Sequence, residues 1–140
     1  MSRGFSLSGL LRVRGIQERA AAQRLSRAVI DADQAKARER VARAALDASG
    51  SDAIDVRTLA AIAAARVSAR RQLGDLASLA DLRSAALADA RDAHREARRQ
   101  VRALERLADA HAARQEAETL RQEQNDIDEI AGRARAEGAT

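Results

Sequence analysis

Apolar residues recur at alternating intervals of four and three along the first third of the chain. This spacing is the heptad pattern of a helix that packs against another helix along one narrow seam. Nine of the twelve seam positions are apolar, and Ser6 is placed to cap a helix that starts at Leu7. The pattern predicts a first helix over about 7–48. Its seam residues are Leu7, Leu11, Arg14, Glu18, Ala21, Leu25, Ala28, Ala32, Ala35, Glu39, Ala42 and Leu46.

A cluster of Gly, Ser and Asp residues interrupts this pattern near residue 50. Gly50 can adopt a positive φ that closes the first helix, and Ser51 or Asp52 can cap a following one. We therefore expect a helix–helix turn over 49–52.

The second seam keeps its spacing without a break over the 53 residues from Leu59 to His111. Gly74 lies beside it, and we interpret it as a tolerated helical glycine that costs about 1 kcal/mol relative to Ala, with a helix break as the alternative. The pattern predicts a second helix over about 53–136. Its seam residues are Leu59, Ile62, Arg66, Ala69, Leu73, Leu76, Ala80, Arg83, Leu87, Ala90, His94, Ala97, Val101, Leu104, Ala108 and His111. Beyond Leu107 the seam shifts by about three residues and continues through Ala110, Ala113, Ala117, Leu120, Gln124, Ile127, Ala131 and Ala134.

The predicted fold is all-α: a single antiparallel two-helix coiled-coil hairpin over 1–140 with a longer C-terminal helix. A tight turn at 49–52 pairs residues whose numbers sum to about 101, so roughly the last 40 residues would extend as a single helix. The charge distribution supports an alternative in which the two ends of the chain lie together. Residues 3–27 carry +5 (six Arg, one Glu), and residues 115–130 carry −5 (six acids, one Arg). Bringing these segments together needs an additional fold between 49 and 86, which the unbroken seam disfavours.

Composition agrees with helix and excludes an ordinary globular core. The chain has 36 Ala, and removing them from the 46% hydrophobic fraction leaves only 28 larger apolar residues. It has one Phe, one Met and no Trp, Tyr, Pro or Cys, so a disulfide scaffold and a cysteine-ligated zinc site are excluded. No apolar run approaches the length of a membrane span, and the start lacks a signal-peptide pattern, so we expect a cytoplasmic protein.

No arrangement of residues indicates catalysis, a metal site or a cofactor site, and we expect neither an enzyme nor a small-molecule substrate. His94 and His111 lie nearly five helical turns apart and cannot share a metal. We interpret both as polar seam positions that help to set the pairing, with a pH-sensitive contact as the alternative.

The net charge of +4 raises the question of whether the chain binds nucleic acid. The arginines are interleaved with acids and no aromatic side chains stand between them, which is typical of a solvated helix face, so we expect no nucleic-acid partner. A basic amphipathic patch near the start indicates a protein-docking surface, with membrane contact as the alternative. Its apolar residues are Leu7, Leu10, Leu11, Val13 and Ile16.

Three stretches of the chain carry a recognisable pattern. Residues 97–107 contain R-x-x-x-x-L-E-x-L, residues 123–131 read E-Q-x-x-x-D-E-I-A, and the start reads F-x-L-x-x-L-L-x-x-R from Phe5 to Arg14. With these three motifs at its two ends, the chain resembles the FliJ family of bacterial flagellar export proteins. Members of that family form a coiled-coil hairpin similar to the central stalk of rotary ATPases.

The resemblance implies a component of the flagellar type III export apparatus, peripheral to the inner membrane at the basal body. Its expected partners are the hexameric export ATPase, which the stalk enters and activates, the export gate membrane protein, and export chaperones. The residues expected to face the ATPase are Phe5, Leu7, Leu10, Leu11, Glu123, Gln124, Asp128, Glu129 and Ile130. A gate contact is expected near the turn, at Leu59 and Ile62, although the family's aromatic residues are missing there.

Two other functions stay open: a homo-oligomeric coiled-coil scaffold or adaptor unrelated to secretion, and a basic helical nucleoid protein. The ordinary explanation of the 123–131 motif is i,i+4 pairing on a soluble helix. Cargo, oligomeric state and the choice between flagellum and injectisome are not determined by the sequence.

Overall fold

The protein is an all-α helical hairpin, as predicted. A computed structural model describes residues 2–50 and 55–139, with the backbone alone for residues 2–5. Helix α1 spans Ser2–Ala48 and helix α2 spans Val56–Gly138, and the described ranges contain no strand. The chain forms two compact units, Ile16–Arg98 and Met1–Gly15 with Arg99–Thr140.

In the unit Ile16–Arg98 the helices run antiparallel, and polar contacts between them define the pairing. Arg83 Nη1 lies 3.7 Å from Asp31 Oδ2, and Arg98 Nε lies 3.8 Å from Glu18 Oε1. The residue numbers of these pairs sum to 114 and 116. The predicted sum of about 101 is therefore wrong by about 14 residues, or two heptads.

In the unit Met1–Gly15 with Arg99–Thr140, Arg14 Nη1 donates a 2.7 Å hydrogen bond to Gln100 Oε1, a pair whose numbers sum to 114. At that sum the first residue of α1 lies level with about residue 112 of α2. Residues 112–139 are all exposed. We call residues 112–138 the overhang; it is shorter than the 40 residues predicted because the pairing lies two heptads further along α2.

The heptad seams agree with burial. All twelve predicted α1 positions are buried or half-buried, and so are fourteen of the sixteen on α2, the exceptions being Leu59 and Arg83. The buried residues of the described chain are all alanines: Ala21, Ala32, Ala35 and Ala80. A seam of methyl groups buries little apolar area per turn, so long stretches of weak contact hold the hairpin together.

Two predictions about the ends of α1 are wrong. Helix α1 begins before Ser6, which is therefore not an N-cap. No described glycine has a positive φ, so Gly50 does not close α1 in that way. Instead, Ser49 Oγ donates a 2.7 Å hydrogen bond to the Leu46 carbonyl, and this satisfies an acceptor of the last turn.

Helix α2 begins at Val56, later than predicted, because Asp55 is its N-cap. The Asp55 carboxylate accepts a 2.7 Å hydrogen bond from the Thr58 backbone N–H. The predicted caps Ser51 and Asp52 lie outside the described residues. Helix α2 continues through Gly74, which confirms the interpretation of that residue as a helical glycine.

Candidate partner-binding surfaces

The overhang is helical for local reasons, since no other part of the described chain covers it. It lacks proline, and its first glycine is Gly132, so residues with good helix propensity fill most of its length. Side chains four residues apart also support it. Gln124 Nε2 donates a 3.3 Å hydrogen bond to Asp128 Oδ1, and Arg133 pairs with Glu129.

The shifted seam becomes an exposed apolar stripe on this helix. Leu120 and Ile127 are each 59% exposed, although they lie at seam positions. Glu116 and Glu123 border the stripe, and residues 115–130 carry the net charge of −5. We call this surface the overhang stripe; it is an apolar ridge with an acidic edge.

The residues predicted to face the ATPase fall into two separate groups. Glu123, Gln124, Asp128, Glu129 and Ile130 are exposed on the overhang. Leu7 and Leu11 are half-buried in the seam with the 99–111 segment, while Leu10 is exposed. The side chain of Phe5 lies outside the described residues.

The two groups do not form one site within the chain. Leu7 lines an open groove with Leu107 and His111, whereas the 123–131 motif begins 12 residues beyond His111. At about 1.5 Å per residue this separates the groups by about 18 Å along α2. A partner that contacts both must therefore extend along the helix.

Leu59 and Ile62 lie where α2 begins, in the other unit. Leu59 is exposed, and Ile62 is half-buried beside an open groove of about 330 Å³. The groove is largely apolar, and its other lining residues include four alanines together with Leu46 and Arg66. Its residues come from the end of α1 and the start of α2, so this apolar surface exists only in the paired helices.

Sequence reasoning missed the partners of the charged seam residues. It placed Arg14, Glu18 and Arg66 on the seam, and the structure joins them to Gln100, Arg98 and the Ser49 carbonyl. In an antiparallel pair of helices, the numbers of facing residues add to a constant sum, and this sum identifies the partner of each seam residue. Sums near 115 give Arg14 and Glu18 a polar neighbour on the opposite helix, and they place Arg66 beside Ser49 just after the end of α1.

Titratable groups in the described ranges do not gather into a reactive site. The pKa of Asp55 is lowered, chiefly because the Thr58 backbone N–H donates to its carboxylate, with the Thr58 side chain adding a second hydrogen bond. Among the described residues, no three His, Cys, Asp or Glu side chains are placed to hold a metal ion. His94 and His111 are both half-buried on the seam. No helix of the described chain is long and apolar enough to cross a membrane.

Comparisons with protein-family models, with curated proteins and with solved structures find no match to this chain. A function for the chain therefore depends on its own motifs and on the surfaces described above.

Proposed function

We propose that the protein is a coiled-coil stalk of the flagellar type III export apparatus that enters the hexameric export ATPase and activates it. The observation that carries this proposal is the overhang, a lone exposed helix that bears the E-Q-x-x-x-D-E-I-A motif at residues 123–131. The motif is one of the three stretches that resemble the FliJ family, and all of its residues are exposed.

The physical properties of the overhang suit such a role. A stalk that meets several similar subunits needs a thin helix that makes weak contacts with each of them. Small alanine side chains and the net charge of −5 over residues 115–130 give the overhang this character, and a ring with a basic lining would attract it. Asp128 and Glu129 each use one carboxylate oxygen in a contact within the helix, and a partner can reach the other oxygen, since both residues are exposed.

The second proposed contact is with the export gate, through Leu59, Ile62 and the groove at the start of α2. An open apolar groove can accept an apolar side chain of a partner. This contact would hold the protein peripherally at the inner membrane, and export chaperones would be further partners.

ATP hydrolysis by the cognate export ATPase tests the proposal. Full-length protein should stimulate hydrolysis and ring assembly, and protein truncated after Ala117 should do neither while keeping the paired helices. If neither form changes hydrolysis, the scaffold or adaptor function is the better explanation.

Charge reversal provides a sharper test of the motif. Asp128→Arg with Glu129→Arg should weaken ATPase binding about tenfold or more, because each substitution replaces attraction by repulsion at a basic surface. Asp89→Arg with Asp92→Arg is the matched control, since both aspartates are exposed on α2 outside the overhang. Helicity by circular dichroism should be the same in both variants. Equal binding by the two variants would contradict a role for the motif.

A further inference from the structure

Weak polar contacts join the two helices of the unit Ile16–Arg98. The Asp31–Arg83 and Glu18–Arg98 ion pairs are 3.7 and 3.8 Å long, and their side chains are between 31% and 50% exposed. Exposed ion pairs contribute little to stability, because water already solvates both charges. Charge therefore fixes the pairing of these helices only weakly, and the fit of the seams decides which pairings are possible.

The seams also fit after a shift of one heptad, from the observed sum of 115 to a sum of 108. Leu25 then lies opposite Arg83, whose side chain is already 48% exposed and can stay in solvent. Sums of 101 and 122 instead place two leucines opposite each other, Leu76 with Leu25 in the first and Leu76 with Leu46 in the second. At a sum of 108 the seam leucines of α2 face alanines: Leu73 opposite Ala35, Leu76 opposite Ala32 and Leu87 opposite Ala21.

The groove at the start of α2 provides space for this shift. Leu46 and Ile62 come from different helices and both line the open groove of about 330 Å³. At a sum of 108 they lie opposite each other, so Leu46 enters the space beside Ile62. The apolar area buried in this way offsets contacts that the shift removes elsewhere.

The shift also exchanges ion pairs. Arg91 lies one heptad before Arg98, and both are exposed. The Glu18–Arg98 pair has a sum of 116, one above the sum of the seam. At a seam sum of 108 the same relation, a sum of 109, joins Glu18 to Arg91 and Glu39 to Arg70. In the observed pairing Arg70 and Arg91 form no hydrogen bond or ion pair with another described residue.

The length of the connection between the helices permits a shift in this direction only. Ala48 lies level with residue 67 at a sum of 115 and with residue 60 at a sum of 108. These levels are about 17 Å and about 6 Å along α2 from Val56. Eight chain steps join Ala48 to Val56 and reach at most about 28 Å, so both distances can be bridged. A sum of 122 places Ala48 level with residue 74, about 27 Å away, and needs an almost fully extended connection.

We propose that the hairpin has a second pairing, with a sum of 108, in which α1 has moved about 10 Å along α2 towards Val56. The second pairing is the minor one, because it loses the hydrogen bonds from Arg14 to Gln100 and from Arg66 to the Ser49 carbonyl. It closes the groove at the start of α2, so the shift is a switch that decides whether this surface is open. The inference goes beyond the proposed function, which assigns a partner to the groove but no means of closing it.

Disulfide formation within dilute single chains tests the second pairing. Ala28→Cys with Ala80→Cys has the sum of 108, and Ala35→Cys with Ala80→Cys has the sum of 115. Ala42→Cys with Ala80→Cys is the matched control, because it is displaced by one heptad in the opposite direction. Seven residues of helix are about 10 Å, so neither displaced pair can form a disulfide without a shift. With oxidised glutathione, the 28–80 pair should form its disulfide at least about tenfold more slowly than the 35–80 pair and at least about tenfold faster than the 42–80 pair.

Two arginine variants of the 28–80 chain distinguish a heptad shift from general loosening. Arg98→Ala removes an ion pair of the observed pairing and should speed oxidation about two- to threefold, whereas Arg91→Ala removes an ion pair of the second pairing and should slow it similarly. Circular dichroism should show equal helicity in all chains. Equal rates for the 28–80 and 42–80 pairs would overturn the proposal, as would a change in the same direction in both arginine variants. No export protein is present in these measurements, so their failure leaves the proposed stalk function and gate contact unaffected.

Discussion

Arg66 Nη2 donates a hydrogen bond of 2.8 Å to the backbone carbonyl oxygen of Ser49, 17 residues earlier in the chain. Ser49 is the first residue after α1, so a side chain of α2 satisfies a carbonyl at the end of α1. The bond also places residues 56–65 of α2 beyond the end of α1. Together with the bond from Ser49 Oγ to the Leu46 carbonyl, it takes the place of the glycine closure expected at Gly50.

Arg66→Ala should loosen the end of α1. The Ser49 carbonyl then depends on water, and we expect a loss of at most about 1 kcal/mol in unfolding free energy, since the bond is exposed. Hydrogen exchange should accelerate at residues 45–49. Arg70→Ala is the control, because Arg70 is exposed and contacts no other described side chain through an ion pair or hydrogen bond. Equal exchange in the two variants would show that the bond is unimportant.

The pairing of the helices can be tested by disulfide cross-linking, because the chain has no cysteine. Ala35→Cys with Ala80→Cys joins two buried positions whose numbers sum to 115, and we expect rapid oxidation to an internal disulfide. Ala21→Cys with Ala80→Cys has the sum of 101, and it should not oxidise, since 14 residues of helix separate its partners by about 21 Å. Mass spectrometry of proteolysed, non-reduced protein distinguishes the results, and preferential oxidation of the 21–80 pair would reverse the assignment.

Gly74→Ala should stabilise the protein by about 1 kcal/mol, because alanine has the higher helix propensity. A Cβ atom at this position meets no atom within 4 Å, so nothing offsets the gain. Thermal unfolding measures the effect. Gly50→Ala is the control, since Gly50 lies outside both helices and its variant shows the gain that comes from the unfolded chain alone. A lower melting temperature for the Gly74 variant would mean that the helix needs glycine there.

The Asp55 cap should make the start of α2 depend on pH. Its carboxylate has a lowered pKa in the folded chain, so its stabilising effect is fully present above its ordinary value of 3.8 and is lost as the pH falls through the folded pKa. NMR titration should show a midpoint below 3.8 for Asp55 and increasing exchange of the Thr58 amide at lower pH. Asp55→Asn should retain the cap without the pH dependence, whereas Asp55→Ala should lose the cap at every pH. An unshifted midpoint would contradict the capping bond.

The candidate surfaces were partly predictable. The shifted seam through Leu120 and Ile127 is visible in the spacing of apolar residues. Its exposure follows once the start of α1 is known to lie level with about residue 112 of α2. The polar partners of Arg14, Glu18 and Arg66 were not predictable, because each pair joins residues far apart in the chain. A shift of one heptad gives every one of these side chains a different neighbour.

Periodicity alone determined that the chain would form two long helices with one narrow seam each, and composition determined that the seam would be lined with alanine. The seams repeat every seven residues, so sums of 101, 108 and 115 all keep seam facing seam. Only the tertiary structure determines which of these three pairings the helices adopt. Within the unit Ile16–Arg98, a sum of 115 places Leu25 opposite Ala90 and Leu87 opposite Ala28, whereas a sum of 101 places Leu25 opposite Leu76.

Helices that share an alanine seam approach closely only where each large side chain faces a small one. That condition depends on both helices together, and neither helix can satisfy it by its own sequence. The same choice set the length of the overhang and therefore which residues of α2 stay uncovered. The helices were local properties of the chain, and the surfaces available to partners were decided by how the helices pair.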